Sequence, residues 1–435
     1  MTTDTAPTVE ESVAAVSLND QAPVVTSQVV VTLFQTSSWW TDEVAVVADK
    51  PVEGDVAASA DQVKEESAIA TEPIVNAEPA AKTLNVHVRG WVHIHKKAGF
   101  RRNLLLGISK RILSPIRQDR SRLASQVFEE RAGAFLDGGF TEQGVIRVAI
   151  LGFKKRSVDR SNSELGLEAV EALVKDAQFD VTPLMNSSGI FDDVIRIPES
   201  VMDEWRKAAG TGEDYHMHQL EFIAYKKSGS QAGTHAFSVC TIVEETGFSI
   251  ITDLDDTIKD SDVYRGPSAA LNNALFTPSS SSIAGMSVLY NHFAADCAMA
   301  FHYVSASPFQ LLDMINNFLI GDEFPSGSVT LRDVWNQASR KAYKDEVIKG
   351  LFTKYPKRKF ILIGDAGEKD AEVYASVLKT YPDRVAKILI RSVDNDEAKI
   401  KIVHKALEGV APNMYAVFSD PASLHSLSCE FKIED

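Results

Sequence analysis

Residues 248–257 read FSIITDLDDT, an apolar run that passes directly into a cluster of carboxylates. The run predicts a buried strand at Phe248–Thr252, because β-branched and aromatic residues are enriched in strands. Similar runs follow along the chain, at 300–304, 360–363 and 385–390. A helix is predicted at 370–380, between the last two runs. This alternation of strands and helices predicts an α/β fold with a parallel sheet.

The first carboxylates, Asp253 and Asp255, lie where a parallel sheet binds its ligands, beyond the carboxyl end of a strand. Extended backbone places both side chains on one side, because they are two residues apart. One could attack phosphorus while the other transfers protons, and Asp253 also offers a hard oxygen ligand to Mg²⁺. An isolated pair of this spacing could also be a turn or the metal-binding pair of a glycosyltransferase. The apolar strand and Thr257 make the pattern more specific.

The next two predicted strands also end in candidate site residues. Ser305 could donate a hydrogen bond to a phosphoryl oxygen, whereas Ser307, which precedes a proline, is more typical of a helix cap or turn. Asp365 could complete a Mg²⁺ site with Asp253. Asp370 could bind the metal directly, bind it through water, or hold a positive partner in place. A turn followed by a capped helix is the alternative for this last segment.

Lys344 is the remaining candidate. It lies on a predicted helix, because apolar residues with helical spacing follow it at positions 347, 348, 351 and 352. Its ammonium could bind a phosphate as a point charge. Taken alone, it could equally be a surface lysine, and Lys341 and Lys349 compete for the same assignment.

The order of these elements resembles that of the haloacid dehalogenase phosphatase superfamily over residues 248–395: DxDxT, a strand ending in serine, a lysine on a helix, then GDxxxxD. The resemblance implies a Rossmann-like parallel sheet of the haloacid dehalogenase type. It implies that Asp253 is the nucleophile, forming an aspartyl-phosphate, and that Asp255 transfers protons. Ser305 and Lys344 would stabilise the phosphoryl oxygens.

The same resemblance implies a bound Mg²⁺. Its ligands would be Asp253, Asp365 and the backbone carbonyl of Asp255, with Asp370 as a further candidate. Thr257 would order the loop. The segment between Thr257 and the second strand is too short for a large cap domain, which predicts an open site.

A closer resemblance lies in the segments around these motifs. Those at 253–263, 271–276, 303–308 and 360–374 (DLDDTIKDSDV, LNNALF, YVSASP and FILIGDAGEKDAEVY) are similar to the fungal actin-patch-associated phosphatidate phosphatases, relatives of the lipins. VRGWV at 88–92 is similar to the N-terminal domain of that family. The chain departs from the family in an acidic insertion between Trp40 and Leu84 and at 279–282.

This family resemblance implies Mg²⁺-dependent hydrolysis of phosphatidate to diacylglycerol and phosphate. It also implies cytoskeletal or endocytic protein partners. Two alternatives stay open: a phosphatase of a soluble phosphomonoester or phosphoprotein, and a non-catalytic membrane adaptor.

The chain of 435 residues is too long for one compact core, and its net charge of −15 is unevenly distributed. Residues 1–83 contain 14 acidic and 3 basic side chains, so we expect a largely disordered acidic region with a strand near 29–35. Alternating patterns at 84–94, 147–153, 220–225 and 235–242, with a helix at 120–131, predict a β-rich, sandwich-like domain over 84–243. The catalytic domain is expected over 244–435.

Residues 89–122 carry ten basic side chains and one acidic one, interleaved with apolar residues. Such a stretch suits either an anionic membrane surface or a solvated loop. Nucleic-acid binding is not expected from an acidic chain without a recognised motif. Three widely spaced cysteines and the absence of a secretory signal or spanning segment favour a cytoplasmic, peripherally membrane-associated protein. The pairs His93/His95 and His216/His218 are interpreted as ordinary histidines.

Overall fold

The computed structural model describes residues 27–42, 82–96, 100–114, 119, 121–158, 165–226, 235–278, 281–333 and 339–431. The disorder expected over most of 1–83 falls on residues 1–26 and 43–81, which lie outside these residues.

The N-terminal part of the chain is β-rich, as predicted. Its strands are β1 Ser27–Leu33, β2 Thr36–Ser37, β3 Trp39–Asp42, β4 Lys82–Lys96, β5 Gly138–Gly139, β6 Ile146–Lys155, β7 Asp180–Val181, β8 Ile190–Pro198, β9 Tyr215–Lys226 and β10 His235–Thr241. Its helices are α1 Phe100–Leu113, α2 Arg122–Ala134, α3 Leu167–Val174 and α4 Glu199–Ala209.

These strands form two sheets that share one core. In the first sheet β4 is central and pairs antiparallel with β1, β3, β5 and β8, and the second sheet has the order β2-β10-β9-β6-β7. Val86 of β4 and Phe191 of β8 pack in the same buried cluster as Val148 of β6 and Phe222 of β9. The apolar faces of both sheets are thereby removed from water, which is the dominant favourable term in folding.

Residues 27–42 join these sheets to the rest of the chain. Strand β1 runs along β4 in antiparallel register, and β2 pairs with β10. On the other side, the Val329 amide donates to the Gln35 carbonyl over 2.9 Å, and the Tyr355 hydroxyl donates to Ser37 Oγ over 2.6 Å. The expected strand near 29–35 is present as β1, whose Leu33 carbonyl also accepts a hydrogen bond from Asn316 Nδ2 over 3.2 Å. The predicted domain boundaries at 83/84 and 243/244 stay predictions.

The C-terminal part has the predicted parallel sheet. Its elements are β11 Phe248–Thr252, α5 Pro267–Phe276, α6 Met286–Cys297, β12 Ala300–Pro308, α7 Leu312–Gly321, β13 Ser328–Arg332, α8 Arg340–Lys354, β14 Lys359–Asp365, α9 Asp370–Thr380, β15 Val385–Arg391, α10 Glu397–Ala406 and β16 Tyr415–Phe418. Short 3₁₀ helices lie at Val263–Arg265, Phe309–Leu311, Pro412–Met414 and Pro421–Phe431.

All six strands are parallel, in the order β13-β12-β11-β14-β15-β16. Two buried clusters cover the two faces of the sheet, one with α6 and α7, the other with α8 and α9. Counted along the chain, the strand order is 3-2-1-4-5-6, and it reverses between β11 and β14. Ligands of open parallel sheets bind at such a reversal, beyond the carboxyl ends of the strands.

Several boundaries differ from the sequence prediction. The helix predicted at 120–131 begins later, because Ser121 is its N-cap: the Ser121 hydroxyl accepts the Ala124 amide over 3.1 Å. The strand predicted at 220–225 begins earlier and includes both His216 and His218. Strand β8 and helices α3 and α4 carry no clear signal in the sequence analysis.

Two minor predictions concern histidines and cysteines. His93 and His95 lie 3.0 and 3.1 Å from one carboxylate oxygen of Asp137, a partner 42 and more positions away that local spacing did not indicate. Cys240 and Cys297 are buried, and neither forms a disulfide with a described residue.

Within the described part of the chain, no helix is both long and apolar enough to cross a bilayer.

Candidate active site

The candidate site lies at the carboxyl ends of β11, β12 and β14. Asp253 directly follows β11, and its amide donates to the Ile363 carbonyl of β14 over 2.9 Å. Ser305 lies on β12, and Asp365 is the last residue of β14. All three side chains are buried. Because β12 and β14 flank β11 in parallel register, residues far apart in sequence meet at one edge of the sheet.

Three carboxylates form a group that could hold a cation. Oxygens of Asp253, Asp365 and Glu368 all lie within 4.8 Å of one another. One oxygen of Asp365, Oδ1, accepts the amides of Gly367 and Glu368 over 2.6 and 3.2 Å. The other, Oδ2, is buried and accepts no hydrogen bond from the described residues. Hard carboxylate oxygens with an unsatisfied buried acceptor are suitable ligands for Mg²⁺.

Burial raises the pKa of Asp253 well above its usual value, and Lys344 opposes this shift only in part. The carboxylates of Asp370, Glu368 and Asp255 raise it further. Burial and the neighbouring Asp370 likewise raise the pKa of Asp365. The site therefore concentrates more negative charge than Lys344 alone can balance, which a divalent cation would relieve. The residues present thus fit a Mg²⁺ ion.

Lys344 is the lysine that reaches the site. It lies on α8, and its Nζ is 2.9 Å from Asp253 Oδ1, 2.5 Å from Asp370 Oδ1 and 3.2 Å from Glu368 Oε2. Burial alone would lower the pKa of Lys344, but these three carboxylates raise it well above its usual value, so the ammonium stays charged.

The two competing lysines point elsewhere. Lys341 is half exposed and pairs with Glu372, whereas Lys349 pairs with Asp345 one turn earlier on α8. Only Lys344, of these three, contacts the buried carboxylates.

Asp370 begins α9 and contacts Lys344 through Oδ1. Its Oδ2 accepts the Asp365 amide over 3.3 Å. A Cβ atom at Gly364 would come within 2.4 Å of Asp370 Oδ2, so a glycine is required there for this approach. Asp370 was expected to bind a metal directly, to bind it through water, or to hold a positive partner in place. This geometry favours the third role, with Lys344 as the partner.

Asp255 accepts three hydroxyl hydrogen bonds. Ser261 Oγ donates to Oδ1 over 2.7 Å, and Ser305 Oγ and Ser307 Oγ each donate to Oδ2 over 2.8 Å. Burial would raise the pKa of Asp255, but the nearby Lys259 ammonium and these hydroxyls outweigh it, and the pKa is lowered. These contacts favour the carboxylate form of Asp255.

The interpretation of Ser307 as a cap or turn residue is wrong. The 3₁₀ helix that follows has Pro308 at its N-cap, without a side-chain hydrogen bond, while the Ser307 hydroxyl is directed at Asp255. Strand β12 continues to Pro308 and carries Ser307 to the same carboxylate as Ser305.

Thr257 and Asp256 lie in the loop after β11. Thr257 is buried, and its hydroxyl lies 3.5 Å from Asp253 Oδ2. Asp256 has a φ of 54° and accepts the amides of Ser261 and Tyr264 over 3.0 and 2.9 Å. Its carboxylate thereby orders the loop that carries Asp255, a contribution that the sequence analysis assigned to Thr257 alone.

Glu368 and Lys259 are site residues that the sequence analysis did not single out. Glu368 lies three positions after Asp365 in the same loop, and an acidic residue so close to a predicted metal ligand was the available signal. Lys259 is buried, and its ammonium donates to Ser261 Oγ and Asn273 Oδ1 over 2.9 and 3.3 Å. A lysine two residues beyond the DxDxT pattern had no distinguishing signal.

The part of the chain that carries this site is similar to known proteins. Residues 248–392 match the family model described as "Phosphatidate phosphatase APP1, catalytic domain". The chain is 31% identical over 164 residues to an uncharacterized protein of Schizosaccharomyces pombe, and 30% identical over 170 residues to the phosphatidate phosphatase APP1 of Saccharomyces cerevisiae.

Each of these matches covers 36% of this chain and only 27% and 28%, respectively, of the two relatives. Among solved structures, a mutant of the PilB minor pilin from Streptococcus sanguinis aligns with 74% of this chain and 96% of its own, at 9% identity and a TM-score of 0.23.

Proposed function

We propose that this chain, whose residues 248–392 match the family model of phosphatidate phosphatase APP1 catalytic domains, hydrolyses phosphatidate to diacylglycerol and phosphate. The observation that carries the proposal is the convergence of Asp253, Lys344 and Asp365 in one buried site at the carboxyl ends of a parallel sheet. Together with the order of the motifs, this placement also supports a sheet of the haloacid dehalogenase type.

The proposed cofactor is Mg²⁺. Asp253, Asp365 and the backbone carbonyl of Asp255 would hold it, and Glu368 is an additional carboxylate at the same place. The ion would neutralise the phosphate dianion, which a carboxylate nucleophile otherwise repels. Asp370 would keep Lys344 oriented, in keeping with their 2.5 Å contact.

Asp253 is the proposed nucleophile. One of its carboxylate oxygens forms a bond to phosphorus while the bond from phosphorus to the glycerol oxygen breaks, leaving an aspartyl-phosphate and an alkoxide. Asp255 gives a proton to that alkoxide and later takes one from the water that hydrolyses the aspartyl-phosphate. Lys344 and Ser305 stabilise the phosphoryl oxygens as their charge develops.

Asp255 must hold a proton before the first step, although its pKa is lowered in this structure. A bound phosphate would compete for the Ser305 hydroxyl, which donates to Asp255 here. A carboxylate that loses a hydrogen-bond donor becomes easier to protonate. Substrate binding would thus shift Asp255 towards the acid form that the reaction requires.

The deciding experiment measures phosphate release from phosphatidate vesicles, with and without Mg²⁺. We expect Mg²⁺-dependent release by the wild type and none by Asp253→Asn, with an unchanged melting temperature. Release from soluble phosphomonoesters or phosphoproteins alone would favour the corresponding phosphatase. Vesicle binding without any Mg²⁺-dependent release would favour a membrane adaptor.

Peripheral association with anionic membranes is part of the same proposal. It is supported by the basic residues around α1, among which Lys110 is only partly neutralised by the exposed Glu129 at 3.1 Å. Binding to vesicles with and without anionic lipid, separated by flotation, tests it: equal recovery with both would contradict it.

A further inference from the structure

A cavity of about 460 Å³ adjoins the candidate site. Its size falls within the range of pockets that bind small ligands. The cavity is bounded by the 3₁₀ helix at Phe309–Leu311 and by α1, α2 and α5, so that the N-terminal part of the chain contributes two of its walls.

One end of the cavity is polar and belongs to the catalytic machinery. Asp255, Ser307 and Glu368 line it, and the first two are hydrogen-bonded to each other. Glu368 also contacts Lys344, which in turn contacts Asp253. A phosphomonoester placed at Asp253 would therefore have the cavity directly beside its leaving group.

The other end is apolar. Its lining side chains come from α1, α2, α5 and the C-cap of α2, and include Leu106, Leu113, Phe128, Phe135, Ala270 and Leu275. Of the lining residues on α1, α2 and α5, only Ser109 and Asn273 are polar, and burying a polar group without a partner is costly. The chemistry of this end is that of a hydrocarbon site.

The walls are held together by specific contacts. The rings of Phe128 on α2 and Phe276 on α5 stack with centroids 4.8 Å apart. Arg131 of α2 donates to the carbonyls of Ala274 and Thr277, at the end of α5, over 2.8 and 2.9 Å. The cavity is thus built into the packing of α2 against α5.

Leucines at the edge of the cavity are open to solvent. Leu136 and Leu271 both line it and are 39% and 43% exposed. Exposed apolar side chains at the edge of an apolar cavity are suited to contact a hydrocarbon chain as it enters.

We propose that this cavity between α1, α2 and α5 binds an acyl chain of the substrate while the phosphate occupies the site at Asp253. The proposal rests on the proposed function and adds a second determinant of substrate recognition. Helices α1 and α2, which lie outside residues 248–392, supply it together with α5. A chain bound there buries apolar surface, so the cavity favours phosphatidate over glycerol 3-phosphate, which lacks acyl chains.

The test fills the cavity from two different walls, with Ala270→Trp on α5 and Ala132→Trp on α2, both of which line it. Ser268→Trp is the matched control, because Ser268 lies on α5 but is exposed and outside the lining. The kcat/KM of each protein is measured with dispersed dioctanoyl phosphatidate and with glycerol 3-phosphate, which lacks the acyl chains.

We expect the two cavity variants to lose about tenfold in kcat/KM for dioctanoyl phosphatidate while kcat/KM for glycerol 3-phosphate changes by less than about twofold. The Ser268→Trp variant should match the wild type on both substrates. Where tryptophan lowers the melting temperature, Ala270→Leu and Ala132→Leu give the same comparison with a smaller side chain.

Two results would overturn the inference and leave the proposed function intact. In the first, the folded cavity variants keep the wild-type preference for dioctanoyl phosphatidate. In the second, both substrates lose equally, which would mean that the cavity supports the phosphate site rather than the chain. A wild type that releases no phosphate from phosphatidate in any form would instead contradict the proposed function, and the inference with it.

Discussion

The ammonium of Lys344 lies 2.9 Å from Asp253, at the centre of a buried group of carboxylates. Both side chains are almost inaccessible, at 4% and 2% exposure. A buried ion pair costs much of its attraction in desolvation, so its presence is weak evidence for a stabilising role. Its position beside the proposed nucleophile points to a role in chemistry.

Replacing Lys344 by methionine should lower kcat for phosphatidate by about a hundredfold or more, because the protein loses the positive charge that stabilises the negative charge developing on the phosphoryl oxygens. The change also leaves carboxylates buried without their cation, which should lower the free energy of unfolding by about 3 kcal/mol. Steady-state kinetics and urea unfolding measure the two effects. The matched controls Lys341→Met and Lys349→Met should retain activity, and a loss in either that equals that of Lys344→Met would refute the assignment.

Glu368→Gln tests whether Glu368 belongs to the metal site. If its carboxylate takes part in holding Mg²⁺, the Mg²⁺ concentration for half-maximal activity should rise by about tenfold or more. Calorimetric titration with Mg²⁺ should show the same shift. The control is Glu372→Gln on α9, whose carboxylate pairs with Lys341 at the surface. An unchanged Mg²⁺ requirement in Glu368→Gln would mean that Glu368 does not help to hold the metal and only forms ion pairs with Lys344 and Arg340.

Ser307→Ala removes one of the hydroxyls that donate to Asp255. A positioning residue for the proton-transfer group should affect turnover more than substrate binding, so we expect kcat to fall by about tenfold with a small change in KM. Ser307→Thr should restore much of the lost activity, because it keeps the hydroxyl. A Ser307→Ala protein with wild-type kcat would return Ser307 to an ordinary structural position. Ser268→Ala, at an exposed serine, controls for serine loss as such.

His302 makes stability depend on pH. Burial, reinforced by Arg358 and Lys354, lowers its pKa from the ordinary 6.5 to about 3. Between pH 6.5 and pH 3 the unfolded chain binds a proton at His302 that the folded protein does not. The free energy of unfolding therefore falls as the pH is lowered from 6.5 towards 3, by about 1.4 kcal/mol per pH unit.

Urea unfolding at about pH 7 and pH 5 should therefore show a loss of stability that is about 2 kcal/mol smaller in His302→Phe than in the wild type. The variant also leaves the Ser328 hydroxyl without its partner at 2.8 Å, which lowers stability equally at both pH values and does not affect the difference. His404→Phe, at an exposed histidine, should keep the wild-type pH dependence. The same dependence in His302→Phe would contradict the assignment.

Much of the parallel sheet could be predicted from short segments of sequence. Apolar runs such as Phe248–Thr252 indicate buried strands, because a strand covered on both faces requires continuous apolar side chains. A parallel sheet then places the residues after those strands at one edge, so Asp253, Ser305 and Asp365 could be grouped without coordinates. Strand β8 was not predicted, since its pairing with β4, about a hundred residues earlier, leaves little local pattern.

Tertiary packing alone distinguished Lys344 from Lys341 and Lys349, because all three lie on one helix and only its rotation against the sheet determines which ammonium is buried. It also turned Ser307 towards Asp255 and brought Glu368 into the carboxylate group. The apolar cavity has the same origin: α1 and α2 lie far from α5 along the chain, and no local periodicity records which of their faces meet. Residue type and spacing thus identified the chemistry available to this protein, whereas long-range contacts decided which groups can act together.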